Sequence, residues 1–396
     1  MPSCKVSAYL FLTVLASRLF GAASAIAGEF IAKGGEPNAE IVNPSPPKAV
    51  TPARLESHFV SVAMAVLLCT FVVPRSARAE KPSDANKKSV KILGIGNSFL
   101  LNATDHLPGM AKAKGHELTL GIARLSSLQS HYNAALLCEK TPEDPKARLY
   151  KYQRGWWGPD RKQKMTLKEM LSGEDWDYVT LQQNSPNSYE IDTYRPYAQG
   201  LCDFIKKHAP QAEVVFHQTW PWRPDSSRKG MDKNPPGFMY RELTRCYYTI
   251  AREVGIKKII PVGTAFQLAE ESPEWKFQRD PNFDYENPKY PELPKEKNSL
   301  HSGWAWRTRG DKKVFKLDGS HTGGGGGILT GSVWHEFFFG EDVREFTGSP
   351  RYLSSEKTAA LREFAHQAVN GVRPKAWPKD IEPLQVRVNW KRPVAE

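Results

Sequence analysis

Three side chains far apart in the chain, Ser98, Asp318 and His321, are of the types that together make an acyl-transfer centre. A serine hydroxyl is a weak nucleophile until a base takes its proton. An imidazole serves as that base when a carboxylate holds its tautomer and stabilises the cation that forms. Asp318 and His321 stand three residues apart in the loop Leu317-Asp318-Gly319-Ser320-His321, close enough for one turn of chain to pair them. Ser98 ends the run Gly94-Ile95-Gly96-Asn97-Ser98. Taken singly, Ser98 also reads as a turn cap, and Asp318-Gly319 as an ordinary turn beside a bystander histidine.

The surrounding pattern supplies the elements that would bring them together. Short apolar runs at Val90–Ile95, Glu117–Gly121, Asp177–Leu181, Glu213–Phe216 and Lys258–Val262 read as five buried strands. Between them the spacing predicts helices. One is capped by Asp105 with Pro108 in its first turn and Gly115 at its end; another carries Tyr194, Tyr197, Leu201, Phe204 and Ile205 on one face; a third spans Arg241–Val254. Later come an apolar helix over Ile328–Phe339 and a last one from Ser355. Strands alternating with helices predict an α/β fold, a parallel sheet with helices on both faces. The working crevice of such a sheet lies beyond the carboxyl ends of its strands. Ser98 follows the first strand, and His217 and Trp220 follow the fourth, so both of the latter are candidate substrate contacts.

The blocks ILGIGNSF (92–99), DWDYVTLQQNS (175–185), HQTW (217–220) and DGSH (318–321) resemble those of the SGNH/GDSL hydrolases, and most closely a bacterial branch of unassigned function. The resemblance spans roughly residues 90–345. It implies a flavodoxin-like three-layer α/β/α sandwich with a five-stranded parallel sheet. It further implies Ser98 as nucleophile, His321 as general base and acid, and Asp318 as its orienter, hydrolysing esters through an acyl-enzyme. An oxyanion hole is implied as well: the Ser98 amide, a glycine amide from the second block and an asparagine side chain from the third. The chain departs at the last two. Ala123 to Leu128 contains no glycine, so the Ser126 amide is the candidate there; Gln182, Gln183 and Asn184 stand in the third block, with Gln183 favoured and Asn184 next.

The 396 residues are 40% hydrophobic and 25% charged, which excludes a mainly disordered chain. Net charge is +12, of which residues 1–79 carry +3, with no long basic block. No nucleic-acid partner is expected; attraction to acidic glycans fits as well. Apolar segments at about Tyr9–Leu15 and Phe59–Val73, the second ending in Ala77-Arg78-Ala79, have signal-peptide length. Residues 1–79 are therefore read as a leader with its true start near Met64, or else as an anchor followed by a linker. Residues 80–89 read as a polar linker, 90–372 as the hydrolase-like domain with insertions at 125–170 and 271–310, and 373–396 as a docking tail. The expected product is secreted or periplasmic, without stable membrane insertion after cleavage. Three cysteines then remain, Cys138, Cys202 and Cys246, too few for a disulfide scaffold. No cofactor is expected: the glycines 323–327 lack the Lys-Ser/Thr of a phosphate loop, and the histidines lack metal-ligand spacing. Tryptophans 156, 157, 220, 222, 275, 304 and 306 fall in loops or insertions, several of them beside Arg or Lys, which suits acidic sugars or packing beneath the insertions. The substrate expected is a small ester or an O-acylated glycan; a non-catalytic glycan-binding protein on the same scaffold is the competing reading.

Overall fold

Aliphatic and β-branched runs too short for helices form the sheet of this computed structural model, which describes residues 87–151 and 163–384. Its strands are β1 (Ser89–Gly96), β2 (Glu117–Arg124), β3 (Tyr178–Leu181), β4 (Glu213–His217) and β5 (Ile259–Ile260). They lie in the order β2-β1-β3-β4-β5, and every neighbouring pair is parallel. All five coincide with the apolar runs of the sequence. The helices are α1 (Ser98–Thr104), α2 (Leu107–Ala113), α3 (Leu128–Lys140), α4 (Leu167–Ser172), α5 (Tyr197–His208), α6 (Phe238–Glu253), α7 (Val262–Glu271), α8 (Gly324–Phe339) and α9 (Ser355–Val369). They divide between the two faces of the sheet. One core joins Leu93, Ile95, Val179 and Phe216 to α3, α5 and α6; the other joins Ile92, Ile122 and Val215 to α1, α2, α7, α8 and α9. Three layers with this strand order make a flavodoxin-like sandwich, whose crevice opens where the order reverses, between β1 and β3.

Outside the sheet stands an antiparallel hairpin of β6 (His301–Arg309) and β7 (Lys312–Thr322). Here the structure corrects the sequence reading. Asp318 and His321 sit at the end of a strand, not in a free loop, and the last quarter of the 271–310 insertion is the partner strand. The glycines after His321 form the start of α8. A Cβ on Gly326 would lie 2.1 Å from the Leu300 carbonyl oxygen, and one on Gly323 would lie 2.6 Å from that of His301. Bare backbone is what lets the helix start press against the hairpin base.

Other differences are local. The region 125–170, read as mixed, contains α3 and α4. Asp105 ends α1, and α2 follows with Pro108 in its first turn. The tail docks through residue 384: Glu271 accepts the Lys375 and Ala376 amides, and Arg245 pairs with Asp380. Cys138, Cys202 and Cys246 are free thiols. The leader, most of the 80–89 linker, Trp156, Trp157 and the tail beyond 384 lie outside the described residues. Among the described residues no helix is long and apolar enough to cross a membrane.

Burial leaves three histidines uncharged. It lowers His217 from the ordinary 6.5 to about 3, and His131 and His301 to about 4. Unfolding restores the ordinary value, so below pH about 6.5 the unfolded chain binds more protons than the folded one. Stability is therefore full above that pH and declines as pH falls toward the folded values. Melting temperature is expected to drop steadily between roughly pH 6.5 and 4. His217→Phe, which fills the site without a titrating group, should flatten that slope in a pH series of thermal melts; an unaltered slope would remove His217 from the account.

Candidate active site

Ser98 is the first residue of α1, and Asn97 before it is the cap. The Asn97 Oδ1 accepts the Phe99 amide at 2.9 Å and the Gln182 amide group at 2.8 Å, while its Nδ2 donates to the Ser126 carbonyl at 3.1 Å. One side chain thus ties together the ends of β1, β2 and β3. From the other core, His131 donates from Nε2 to the Gly96 carbonyl at 3.0 Å, and its Nδ1 faces the Tyr150 hydroxyl at 3.0 Å. A carbonyl only accepts, so the Nε2 proton is fixed and Tyr150 is the donor to Nδ1. The turn carrying Ser98 is held from both sides.

The Ser98 Oγ lies 2.8 Å from His321 Nε2. His321 Nδ1 lies 2.9 and 3.1 Å from the two Asp318 oxygens. Asp318 Oδ1 also accepts the Ser320 and His321 amides at 3.3 and 3.1 Å and the Ser320 hydroxyl at 3.1 Å. The bond from His321, reinforced by these backbone donors, holds the Asp318 carboxyl well below the usual carboxylate range. An ionised carboxylate can only accept, so Nδ1 carries the ring proton. Nε2 then presents its lone pair to the serine O–H. That arrangement has the geometry to move a proton off Ser98 and return it.

The base is positioned by the loop after β4. Trp220 donates from Nε1 to the Ser320 carbonyl at 2.8 Å, and the Arg223 amide donates to Gly319 O at 2.8 Å. Trp220 also stacks on Phe99 with centroids 4.2 Å apart. The Arg223 guanidinium, 1% exposed, grips Asp225 and Glu296 together, at 2.6 and 2.8 Å to the first and 2.5 and 3.0 Å to the second. His301 Nε2 reaches the Pro221 carbonyl at 3.0 Å. Both hairpin strands and the 271–300 segment are therefore clamped to one loop.

An open pocket of about 600 Å³ lies over Ser98. Asn97, Ser98 and Phe99 line it beyond β1, Arg124, Leu125 and Ser126 beyond β2, Asn184, Ser185 and Pro186 beyond β3, and Ser320 and His321 from the hairpin. Leu149, Lys151 and Arg228 complete it. As the first residue of α1, Ser98 has an amide without an intrahelical acceptor. Ser126 lines the pocket from the second block, its hydroxyl bonded to that of Ser130. Asn184 holds the Asn187 amide through Oδ1 and keeps its Nδ2 donors without a partner among the described residues.

Three expected contacts are corrected. Gln183 is buried, donates from Nε2 to the Thr193 carbonyl at 2.8 Å and accepts the Asn184 amide, so it has no donor to offer the pocket. His217 is wholly buried against Trp334, with ring centroids 5.2 Å apart. It shares the α8 face of the sheet and does not line the pocket. Trp220 is likewise buried, and supports the hairpin instead of touching a ligand. Trp222 and Trp275 are core residues too, and Trp304 stacks on Phe315 at 4.6 Å. The sequence reading missed Asn97, His131 and Arg223. Asn97 stood in the open, as an Asx residue directly before a helix; the other two gave no local signal.

Among the described residues two groups could hold a metal ion: His116, His335 and Glu341, and Glu336, Asp342 and His366. Both lie at the amino-terminal edge of the sheet, opposite the pocket. His116 Nδ1 accepts the Lys88 amide at 3.3 Å, which leaves the proton on Nε2, the atom that faces Glu341 at 2.9 Å. A proton on that atom opposes ligation.

The family model for a domain of unknown function (DUF4886) matches residues 91–290, ending before Asp318 and His321. A DUF4886 family protein from Bacteroides uniformis is similar at 24% identity, over 73% of this chain and 98% of that one, with a TM-score of 0.56. A Slackia heliotrinireducens chain, provisionally called an SGNH hydrolase, is 18% identical over 63% of this chain and 98% of its own, with a TM-score of 0.37. A Parabacteroides merdae chain, provisionally called a GDSL-like lipase, is 14% identical over 63% and 95%, with a TM-score of 0.34. No curated protein matches the sequence.

The Arg223 clamp makes a direct prediction. Removing one member of a buried ion cluster strands the other charges and costs about 3–5 kcal/mol. Arg223→Met should lower stability by roughly that amount in a urea titration. A loss below about 1 kcal/mol, the scale of an exposed pair, would show that the cluster does not anchor the hairpin.

Proposed function

From a chain that belongs to the DUF4886 family, we propose a serine hydrolase that cleaves ester bonds through a Ser98-His321-Asp318 triad. The observation that carries this reading is the unbroken line from Ser98 Oγ to His321 Nε2 at 2.8 Å and from His321 Nδ1 to Asp318 at 2.9 Å, set at the mouth of a pocket. His321 Nε2 takes the serine proton as Oγ bonds to the ester carbonyl carbon. The tetrahedral intermediate collapses by breaking the bond to the alcohol oxygen, which leaves with the proton from His321. Water then gives a proton to His321 and its oxygen to the acyl carbon. The acyl–serine bond breaks, Ser98 recovers its proton, and a carboxylic acid departs. The Ser98 and Ser126 amides and Asn184 Nδ2 are the candidate donors to the oxyanion; such donors are worth about 3–4 kcal/mol each.

The acyl groups proposed are O-linked to carbohydrate, and the enzyme is proposed to act after export, in the periplasm or outside the cell. The open pocket, lined by Arg124, Lys151 and Arg228, and the leader-like segment ending at Ala77-Arg78-Ala79 support that reading. No step in this scheme calls for a cofactor.

A fluorophosphonate probe should label Ser98 in peptide mapping, and Ser98→Ala should abolish both labelling and hydrolysis of p-nitrophenyl acetate. Wild-type protein that takes up no probe and is inert toward acetyl, butyryl and longer esters would defeat the proposal. Asp318→Asn should leave the fold intact and lower kcat by on the order of 10³–10⁴, because an amide cannot enforce the required tautomer; an unchanged rate would remove Asp318 from the mechanism.

A further inference from the structure

The hairpin that supplies Asp318 and His321 has two unlike faces. Paired residues in an antiparallel ladder share a face, and the faces alternate along each strand. Trp304, Trp306 and Phe315 point one way, where Phe283, Tyr285 and Tyr290 of the preceding segment pack on them. On the other face the pairs Arg309–Lys312, Arg307–Val314, Ala305–Lys316 and Gly303–Asp318 follow in order toward the pocket. All four cations there are exposed. Arg307 lies 3.6 Å from Asp318, whose charge already faces His321. Arg309, Lys312 and Lys316 make no ion pair among the described residues. Elsewhere on the surface, Arg195, Arg245, Arg344 and Lys207 are each matched by a carboxylate.

This face runs straight into the pocket rim through Asp318 and Ser320. Inside, Arg124, Lys151 and Arg228 line the pocket, and no aspartate or glutamate does so among the described residues. From Lys312 to Asp318 the strand spans about 20 Å, at roughly 3.3 Å per residue. Like charges kept unpaired along one flat face, continuous with a pocket of the same sign, are complementary to an extended anion.

We infer that the ester is carried on a polyanionic polysaccharide, one bearing carboxylate or sulfate groups, whose chain lies along the Arg309–Lys312–Lys316 face and feeds an acylated unit to Ser98. The inference rests on the ester-hydrolase reading for its chemistry, but the face itself needs only an anionic polymer. Nucleic acid is the poorer match, since it offers no O-acyl group to cleave.

The test uses the full-length protein and two readouts. In the first, Ser98→Ala protein is titrated calorimetrically with polygalacturonate, with neutral xylan, with duplex DNA and with phosphatidylglycerol vesicles. Polygalacturonate should bind and xylan should not. Affinity should fall with added salt, and on the order of tenfold at low salt when Arg309→Gln, Lys312→Gln and Lys316→Gln are added together. Equal binding with and without those substitutions overturns the assigned face; equal binding of xylan overturns the anionic substrate; DNA or vesicles binding as tightly as polygalacturonate overturns the commitment to a polysaccharide. In the second, the ratio of kcat/KM on O-acetylated polygalacturonate to that on p-nitrophenyl acetate should fall by a similar factor in the triple variant, and a constant ratio counts against the inference. Because the first readout needs no turnover, a protein that binds polygalacturonate yet cleaves nothing would sink the hydrolase reading and leave the binding face standing.

Discussion

The proton on His321 Nδ1 is the constraint on which the site depends. Asp318 fixes it there because an ionised carboxylate surrounded by donors can only accept. That single assignment turns the Nε2 lone pair toward Ser98. Had the ring proton been on Nε2, Oγ would accept from the ring instead of donating to it, and the serine would keep its hydrogen. The backbone around Asp318 serves the same end, since the Ser320 and His321 amides both bond Oδ1 and stabilise the charged form.

Holding that geometry falls to structures well outside the three residues. Ser98 rides at the carboxyl end of β1, an interior strand of the sheet, while Asp318 and His321 ride on a hairpin that makes no ladder with it. The gap is closed by the 218–226 loop, which gives the Ser320 carbonyl a tryptophan N–H, gives Gly319 an amide, and buries an arginine between two acids. On the serine side, Asn97 knots three strand ends into one. Positioning is done by hydrogen bonds to backbone carbonyls, by the Asn97 and Arg223 side chains and by close-packed glycines.

The sheet was legible because buried parallel strands are apolar on both faces, and five such runs stand out whatever surrounds them. The helix α3 was not, because it buries His131, Ala134, Ala135 and Cys138, a stripe too small and polar to register as an apolar face. The hairpin was hidden by its cations, which break the alternation of aromatics along Trp304, Trp306 and Phe315. Ser98, Asp318 and His321 could be picked out because their chemistry constrains residue type. His217 and Trp220 were misplaced for an instructive reason: following a strand end was taken to mean facing the crevice. Side chains there alternate between faces, and His217 falls on the face that α8 covers. Gln183 was misjudged by type alone, since nothing local reveals that Thr193 and Asn184 consume its amide.

The alcohol and its base are separated by 223 positions along the chain, and every strand of the sheet is complete by residue 260. All five strands therefore precede the imidazole in the chain, while α8 and α9, which cover one face of the sheet, follow it. Until the hairpin emerges and docks, the Ser98 hydroxyl lacks the imidazole that it faces in the folded chain. In the proposed mechanism, late arrival of His321 ties competence to completion of the chain.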